Sequence, residues 1–210
     1  MTDWTIAVCI ASGPSLTAED CDQVRQSGLP TIVTNNTWQL CPWAHTLYAM
    51  DRAWWSQYGE RAKHFAGNKV TAVRGAKVAE HVAFQHGRNS GYGAIALAAK
   101  WGARRIILLG YDCQFTGGMR HWHGNHEKGL GNAEKIRNWP NEFARLQKRM
   151  KSEGREVINC TRETALTCFI QAPLGWTLAQ PLSLPAAPAL PGSSHPKAAS
   201  ASPSMAPLSA

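Results

Sequence analysis

Apolar residues in this chain fall into short unbroken runs separated by longer amphipathic stretches. Residues 5–11 (TIAVCIA), 31–34 (TIVT), 47–50 (LYAM) and 105–109 (RIILL) have strand length and little polar alternation. Such runs predict strands covered on both faces, as in a parallel sheet. Between them lie helical signals. Thr17-Ala-Glu-Asp20 opens a helix with a threonine cap and early acids, and Gly28-Leu29-Pro30 stops it. A helix is predicted from Arg52 to about Arg61. Another, rich in alanine, covers residues 94–100 after Ser90-Gly91-Tyr92-Gly93 and ends at Gly102. Ala133, Ile136, Trp139, Phe143, Leu146 and Met150 recur every three or four residues, a helical stripe in which Pro140 opens a second helix at its first turn. Residues 70–73 form a weaker strand candidate, residues 76–84 fit neither pattern, and residues 156–159 are the last expected strand.

This alternation predicts an α/β fold: a single Rossmann-like, three-layer domain with a mostly parallel sheet over residues 1–171. From Ala172 onward the composition shifts. Eight of the twelve prolines lie in residues 172–210, among many Ala and Ser residues and one charged residue, Lys197. The expectation is a disordered Pro/Ala/Ser-rich tail that adds nothing to the fold.

Composition narrows the partners. The 210 residues suffice for one core, with 44% apolar and 17% charged residues. A net charge of +8 favours a polyanion, but it is spread along the chain, with only pairs such as Arg104-Arg105. That suits a nucleotide or sugar nucleotide; nucleic acid fits the charge but lacks a clustered basic stripe. The six cysteines form no Cys-x-x-Cys pair, no secretory signal opens the chain, and no apolar run reaches the roughly 20 residues of a membrane span. A cytoplasmic protein with reduced core thiols is expected, with no membrane partner. Most of the nine tryptophans should be core or pocket wall, Trp55 among them.

In an open parallel sheet, ligands bind beyond the carboxyl ends of the strands. The residues there are Gly13-Pro14-Ser15, Asn35-Asn36-Thr37, Asp51 and Gly110-Tyr111-Asp112, with Ser90-Gly91 opening the helix before the last of these strands. Gly13 allows close backbone approach, and Ser15 brings a hydroxyl near a helix N-terminus, whose unpaired N–H groups suit phosphate. Ser90-Gly91 repeats the arrangement. The ordinary alternative is turn and cap chemistry. Standard P-loop and dinucleotide fingerprints are absent. Asp112 could hold a ribose hydroxyl or a Mg²⁺ ion bridging phosphates, or simply cap backbone N–H groups. His121-Trp122-His123-Gly124-Asn125-His126 is the densest titratable cluster. Its histidines suit a general base or phosphate donor, with His123 placed ahead of His126, or else a zinc site completed by Asp112 or Glu127.

Together these motifs resemble the 6-hydroxymethylpterin diphosphokinase MptE-like family, whose members are often encoded by tailed phages and prophages. Their order is also similar to that of bacterial sialyltransferases that use CMP-sialic acid. The resemblance spans about residues 6–168. It implies a nucleotide-binding transferase: an ATP- and Mg²⁺-dependent diphosphokinase on a small hydroxymethyl-bearing acceptor, or a CMP-sugar glycosyltransferase, in host cytoplasm if phage-encoded. A non-enzymatic phage accessory protein binding nucleic acid or protein is the third reading. Carried over by position, Gly13, Pro14, Ser15, Asn35, Asn36, Asp51, Ser90, Gly91 and Gly110 would contact the nucleotide. Asp112 would hold ribose or metal, and His121, His123 or His126 would act as base. The chain departs from the sialyltransferases in lacking their lid and tyrosine pair, for which Tyr92 and Tyr111 are the nearby candidates. It also lacks the N-terminal region of the longer pterin kinases.

Overall fold

The computed structural model describes residues 4–182 except 128, 132, 134 and 135. Eight strands form one sheet: β1 (Ile6–Ile10), β2 (Thr31–Thr34), β3 (Thr46–Tyr48), β4 (Asn68–Thr71), β5 (Glu80–His81), β6 (Arg105–Leu109), β7 (Glu156–Asn159) and β8 (Ile170–Gln171). Their spatial order is β5-β4-β3-β2-β1-β6-β7-β8, and every pairing is parallel. Parallel neighbours need crossovers, and most of these are helical: α1 (Ala18–Ser27), α2 (Arg52–Ala62), α3 (Ser90–Lys100) and α4 (Trp139–Ser152). The α/β, three-layer, Rossmann-like architecture expected from the alternating pattern is the observed one.

Side-chain alternation along β1 shows how the layers arise. Ala7 and Cys9 join the apolar face against α3 and α4, where Ile95, Leu97, Phe143 and Leu146 are fully or almost fully buried. Val8 and Ile10 point the other way, toward α1 and α2, with Val24, Trp54 and Tyr58. Both faces are thus apolar, which is why the strands read as unbroken runs. Trp55 belongs to this second core, as expected, and its indole N–H donates to the Ala49 carbonyl at 2.9 Å. The alanines of α3 permit close approach to the sheet, and so does Gly93. A Cβ there would come within 2.4 Å of the buried Tyr48 ring, so this glycine serves helix–sheet packing and not a ligand.

The weaker sequence expectations moved. The third and fourth strands begin one and two residues earlier than predicted, and β5 lies inside the ambiguous 76–84 stretch. Pro140 does sit in the first turn of α4, preceded by a 3-10 turn at Ile136–Asn138. Residues 156–159 are not the last strand, since β8 follows.

The predicted tail boundary at Ala172 is also corrected. A short helix, α5 (Leu174–Ala179), packs on the α1 side with Leu174 and Thr177 buried. The Cys160 thiol donates to Thr177 Oγ1 at 3.3 Å. Arg105, only 5% exposed, donates from Nη1 to the carbonyls of Gln180 at 3.0 Å and Pro181 at 3.1 Å. This segment covers one end of the sheet and satisfies a buried cation there. The rest of the predicted tail, residues 183–210, lies outside the described residues. Among the described residues, no helix is long and apolar enough to cross a membrane.

Candidate functional site

Strand order reverses between β1 and β6: connections from β1 run toward β2, those from β6 toward β7. The chain ends leaving these two strands part and leave a crevice at their carboxyl edge. A cavity of about 350 Å³ opens there. Gly13 from β1, Asn35 from beyond β2 and Asp51 from beyond β3 line it, with Ser90 and Gly91 at the start of α3 and Gly110 and Asp112 after β6. Arg88, Arg120, His121 and His126 add to the polar part of the wall.

Four candidates stand off this wall. Asn36 is 5% exposed and accepts from the Trp54 indole N–H at 3.0 Å, which fixes a 3-10 turn (Asn35–Gln39) on α2. Pro14 and Ser15 lie behind the crevice, and His123 stacks against His121 instead of lining the cavity. The expected order of His123 ahead of His126 therefore finds no support in the placement: His121 and His126 face the ligand space.

Asp112 is on the wall but is already engaged. Its Oδ2 accepts from the Ser15 N–H at 2.9 Å and from Thr116 Oγ1 at 3.0 Å, and its Oδ1 accepts from Ser15 Oγ at 2.9 Å. Gly13 is glycine because of this carboxylate, since a Cβ there would lie 2.0 Å from Asp112 Oδ1. The arrangement ties the turn after β1 to the end of β6. Asp112, expected to hold ribose or metal, therefore has both oxygens bonded to protein, and the Ser15 hydroxyl, expected near a phosphate, donates to it. Burial raises the Asp112 carboxyl above its usual range, and the bonds from Ser15 and Thr116 pull it only partly back.

The first helix start is also closed to phosphate. Thr17 and Asp20 form a capping box, with the Asp20 N–H donating to Thr17 Oγ1 at 3.2 Å. The Asp20 carboxylate accepts a two-pronged contact from Arg162, at 2.9 Å from both Nε and Nη2. An anion would meet a buried acid there.

The start of α3 differs. Asn89 caps the Tyr92 N–H at 2.8 Å, and Ser90 and Gly91, the first two residues of the helix at its positive end, line the cavity. The Ser90 hydroxyl accepts from the Met50 N–H and donates to Asn35 Oδ1, both at 3.1 Å, locking the ends of β2 and β3 to this helix. Arg88, an exposed residue, lines the same wall. Asp51, which reaches solvent yet is crowded by protein, has its carboxyl raised by that partial burial. Tyr111 contributes its ring, but its hydroxyl donates to the Gly91 carbonyl at 3.0 Å, and Tyr92 is off the wall. No tyrosine pair is aimed at a phosphate.

Sequence reasoning missed the backbone. Among the described residues, the non-glycine residues with positive φ are Asn35 at 47°, Cys113 at 50° and Ala133 at 59°, and all three line this cavity. Left-handed backbone costs an L-residue roughly 1–2 kcal/mol and concentrates at functional sites. Asparagine after a strand hinted at this for Asn35; nothing in the sequence marks Cys113 or Ala133.

The histidine loop between β6 and α4 is pinned over the crevice. The Trp122 N–H donates to the Ser12 carbonyl at 3.1 Å, and Glu127 accepts from Gln57 at 2.7 Å and from Arg61 at 3.1 Å on α2. His121, His123 and His126 come together, each able to offer one ring nitrogen, with these nitrogens within 4.8 Å of one another. Burial, then the neighbouring imidazoles, lower His121 to about 3 and His123 to about 4.

Fold and cavity define the class: a Rossmann-like α/β protein with a polar crevice, lined by strained backbone, at the point where its strand order reverses. No protein-family model matches the chain and no curated protein matches it, so the reading of its function rests on this geometry.

Proposed function

We propose that the chain is a nucleotide-dependent transferase of the diphosphokinase-like type, acting on a small hydroxyl-bearing acceptor. One observation carries this reading: the three strained non-glycine residues, Ser90 and Gly91 in the first turn of α3, and Arg88 all converge on one crevice at the strand-order reversal. The α3 N–H groups and Arg88 would bind phosphate oxygens, one by fixed dipoles and the other by charge. Such chemistry asks mainly for positioning and charge neutralisation. A Mg²⁺ ion entering with the phosphates would meet Asp51, because Asp112 has its oxygens engaged by Ser15 and Thr116. The glycosyltransferase alternative needs a histidine base. Burial and neighbouring imidazoles lower His121 and His123 to about 3 and 4, which weakens them as bases near neutral pH and leaves that alternative to His126 on the cavity wall.

The test is thermal stabilisation by ATP, GTP, CTP, CMP and CMP-sialic acid, with and without Mg²⁺, against the matching nucleosides. Di- and triphosphates should stabilise the protein and nucleosides should not. Arg88→Ala should weaken nucleotide binding about tenfold, the loss of one charge-assisted contact. Equal stabilisation by nucleoside and nucleotide, or none at millimolar ligand, refutes the reading.

A further inference from the structure

The three loop histidines form a group that phosphate binding leaves unexplained. The nitrogens His121 Nε2 and His123 Nε2 are buried and have no hydrogen-bond partner. An orphaned buried acceptor or donor ordinarily carries a penalty, so two in one cluster call for a shared partner. The remaining nitrogens support the same orientation. His121 Nδ1 lies 3.4 Å from Ser12 Oγ, and the ring of His123 bonds its own backbone, so Nε2 is the nitrogen each ring has left for a further partner. This is the outer support that fixes the tautomer of metal-bound imidazoles.

We propose that His121, His123 and His126 together bind one zinc-class divalent metal ion, with its open coordination position toward the cavity. The geometry fits. Zinc–nitrogen bonds of about 2.0–2.1 Å in a tetrahedral site place ligand nitrogens roughly 3.4 Å apart. The nitrogens already lie within 4.8 Å, so each ring needs to move less than about 1 Å. Three nitrogen donors suit zinc, copper or nickel far better than magnesium, which keeps this ion distinct from any that accompanies phosphate. The two acids that might close the fourth position are held elsewhere, Asp112 by Ser15 and Thr116, Glu127 by Gln57 and Arg61. His121 and His126 line the cavity, so the fourth position is left to water or a ligand oxygen, the pattern of a three-histidine catalytic site. This inference does not depend on the transferase reading.

The experiment uses the full chain without an affinity tag, in the absence of nucleotide. After zinc is added and excess removed, elemental analysis should give one equivalent per chain. Zinc at hundredfold excess over its Kd should raise Tm by about 5–10 °C. Cobalt should give the intense visible absorption of a four-coordinate site. His123→Ala, which leaves the cavity wall intact, should lower zinc affinity at least a hundredfold while far-UV circular dichroism and the metal-free Tm stay near wild type. His126→Gln reads the same loss if the alanine variant does not fold. Zinc content below a tenth of an equivalent with no Tm rise overturns the proposal. So does a full equivalent retained by a His121→Ala, His123→Ala double variant, which would place the metal on other residues such as the cysteines.

Discussion

Asp112 offers the sharpest test of how this crevice is built, because two roles for it predict opposite results. It is 1% exposed and accepts three hydrogen bonds, from the Ser15 N–H, Ser15 Oγ and Thr116 Oγ1. In Asp112→Ala the Ser15 N–H loses its acceptor outright, while the two hydroxyls can turn toward other partners. At about 1–3 kcal/mol for a buried group left unpaired, the sum is roughly 2–4 kcal/mol. For a protein of this size that lowers Tm by about 4–16 °C. Asp112→Asn keeps the volume. Its amide oxygen can accept from the Ser15 N–H and Thr116, and its NH₂ can donate to a reversed Ser15 hydroxyl. Charge-assisted bonds become neutral ones, but the cost of burying a charge also disappears, so Tm should stay within about 3 °C. Nucleotide binding, followed by thermal shift, should survive in the Asn variant. The sign of the pH dependence follows from the raised carboxyl. Its contribution to stability is greatest below the ordinary value of about 3.9 and is lost as pH rises through the elevated folded value. Wild type should therefore gain on Asp112→Asn as pH falls toward 4. If Asp112→Asn abolishes nucleotide binding with Tm unchanged, or Asp112→Ala melts like wild type, the carboxylate serves the ligand and the structural account is wrong.

Truncation after Gln171 should lower Tm relative to a chain ending at Leu182, because it strips Arg105 of two carbonyl acceptors and uncovers the surface beneath Leu174 and Thr177; equal melting temperatures would mean that α5 contributes nothing. The Asp20–Arg162 pair gives the opposite pH sign to Asp112. Burial tends to raise the Asp20 carboxyl, but Arg162 and Thr17 outweigh it and hold it below the ordinary range. Its stabilisation is present above about pH 3.9 and is lost as pH falls through the lowered folded value. Arg162→Ala should cost about 1 kcal/mol at pH 7, discounted for a half-exposed guanidinium, and that difference should close toward pH 2 in urea titrations. A gap that persists in acid would mark packing, not charge.

What the sequence could and could not say about this site follows from the range of the interactions involved. The central strands were legible because burial on both faces removes polar residues from a local window, and their ends located the crevice without any long-range knowledge; β5 and β8, two exposed residues each, left no such signal. The role of Asp112 was not legible, because its partner Ser15 is 97 residues away and a turn aspartate beside a glycine looks the same whether it binds a ligand or a neighbouring turn. Gly13 illustrates the ambiguity: the space it leaves is filled by Asp112, not reserved for phosphate. The misplaced tail boundary has a different cause. Six residues of α5 are too few to establish a period, and the prolines around and beyond them dominate any compositional window. The histidines fall between these cases. Their spacing announced a cluster, but which rings face the cavity depends on Trp122 and Glu127 anchoring the loop to β1 and α2. Those anchors also remove Glu127 from the ligand set, and Ser15 and Thr116 remove Asp112. What remains is three imidazoles beside a cavity, the donor set on which the proposed metal site rests.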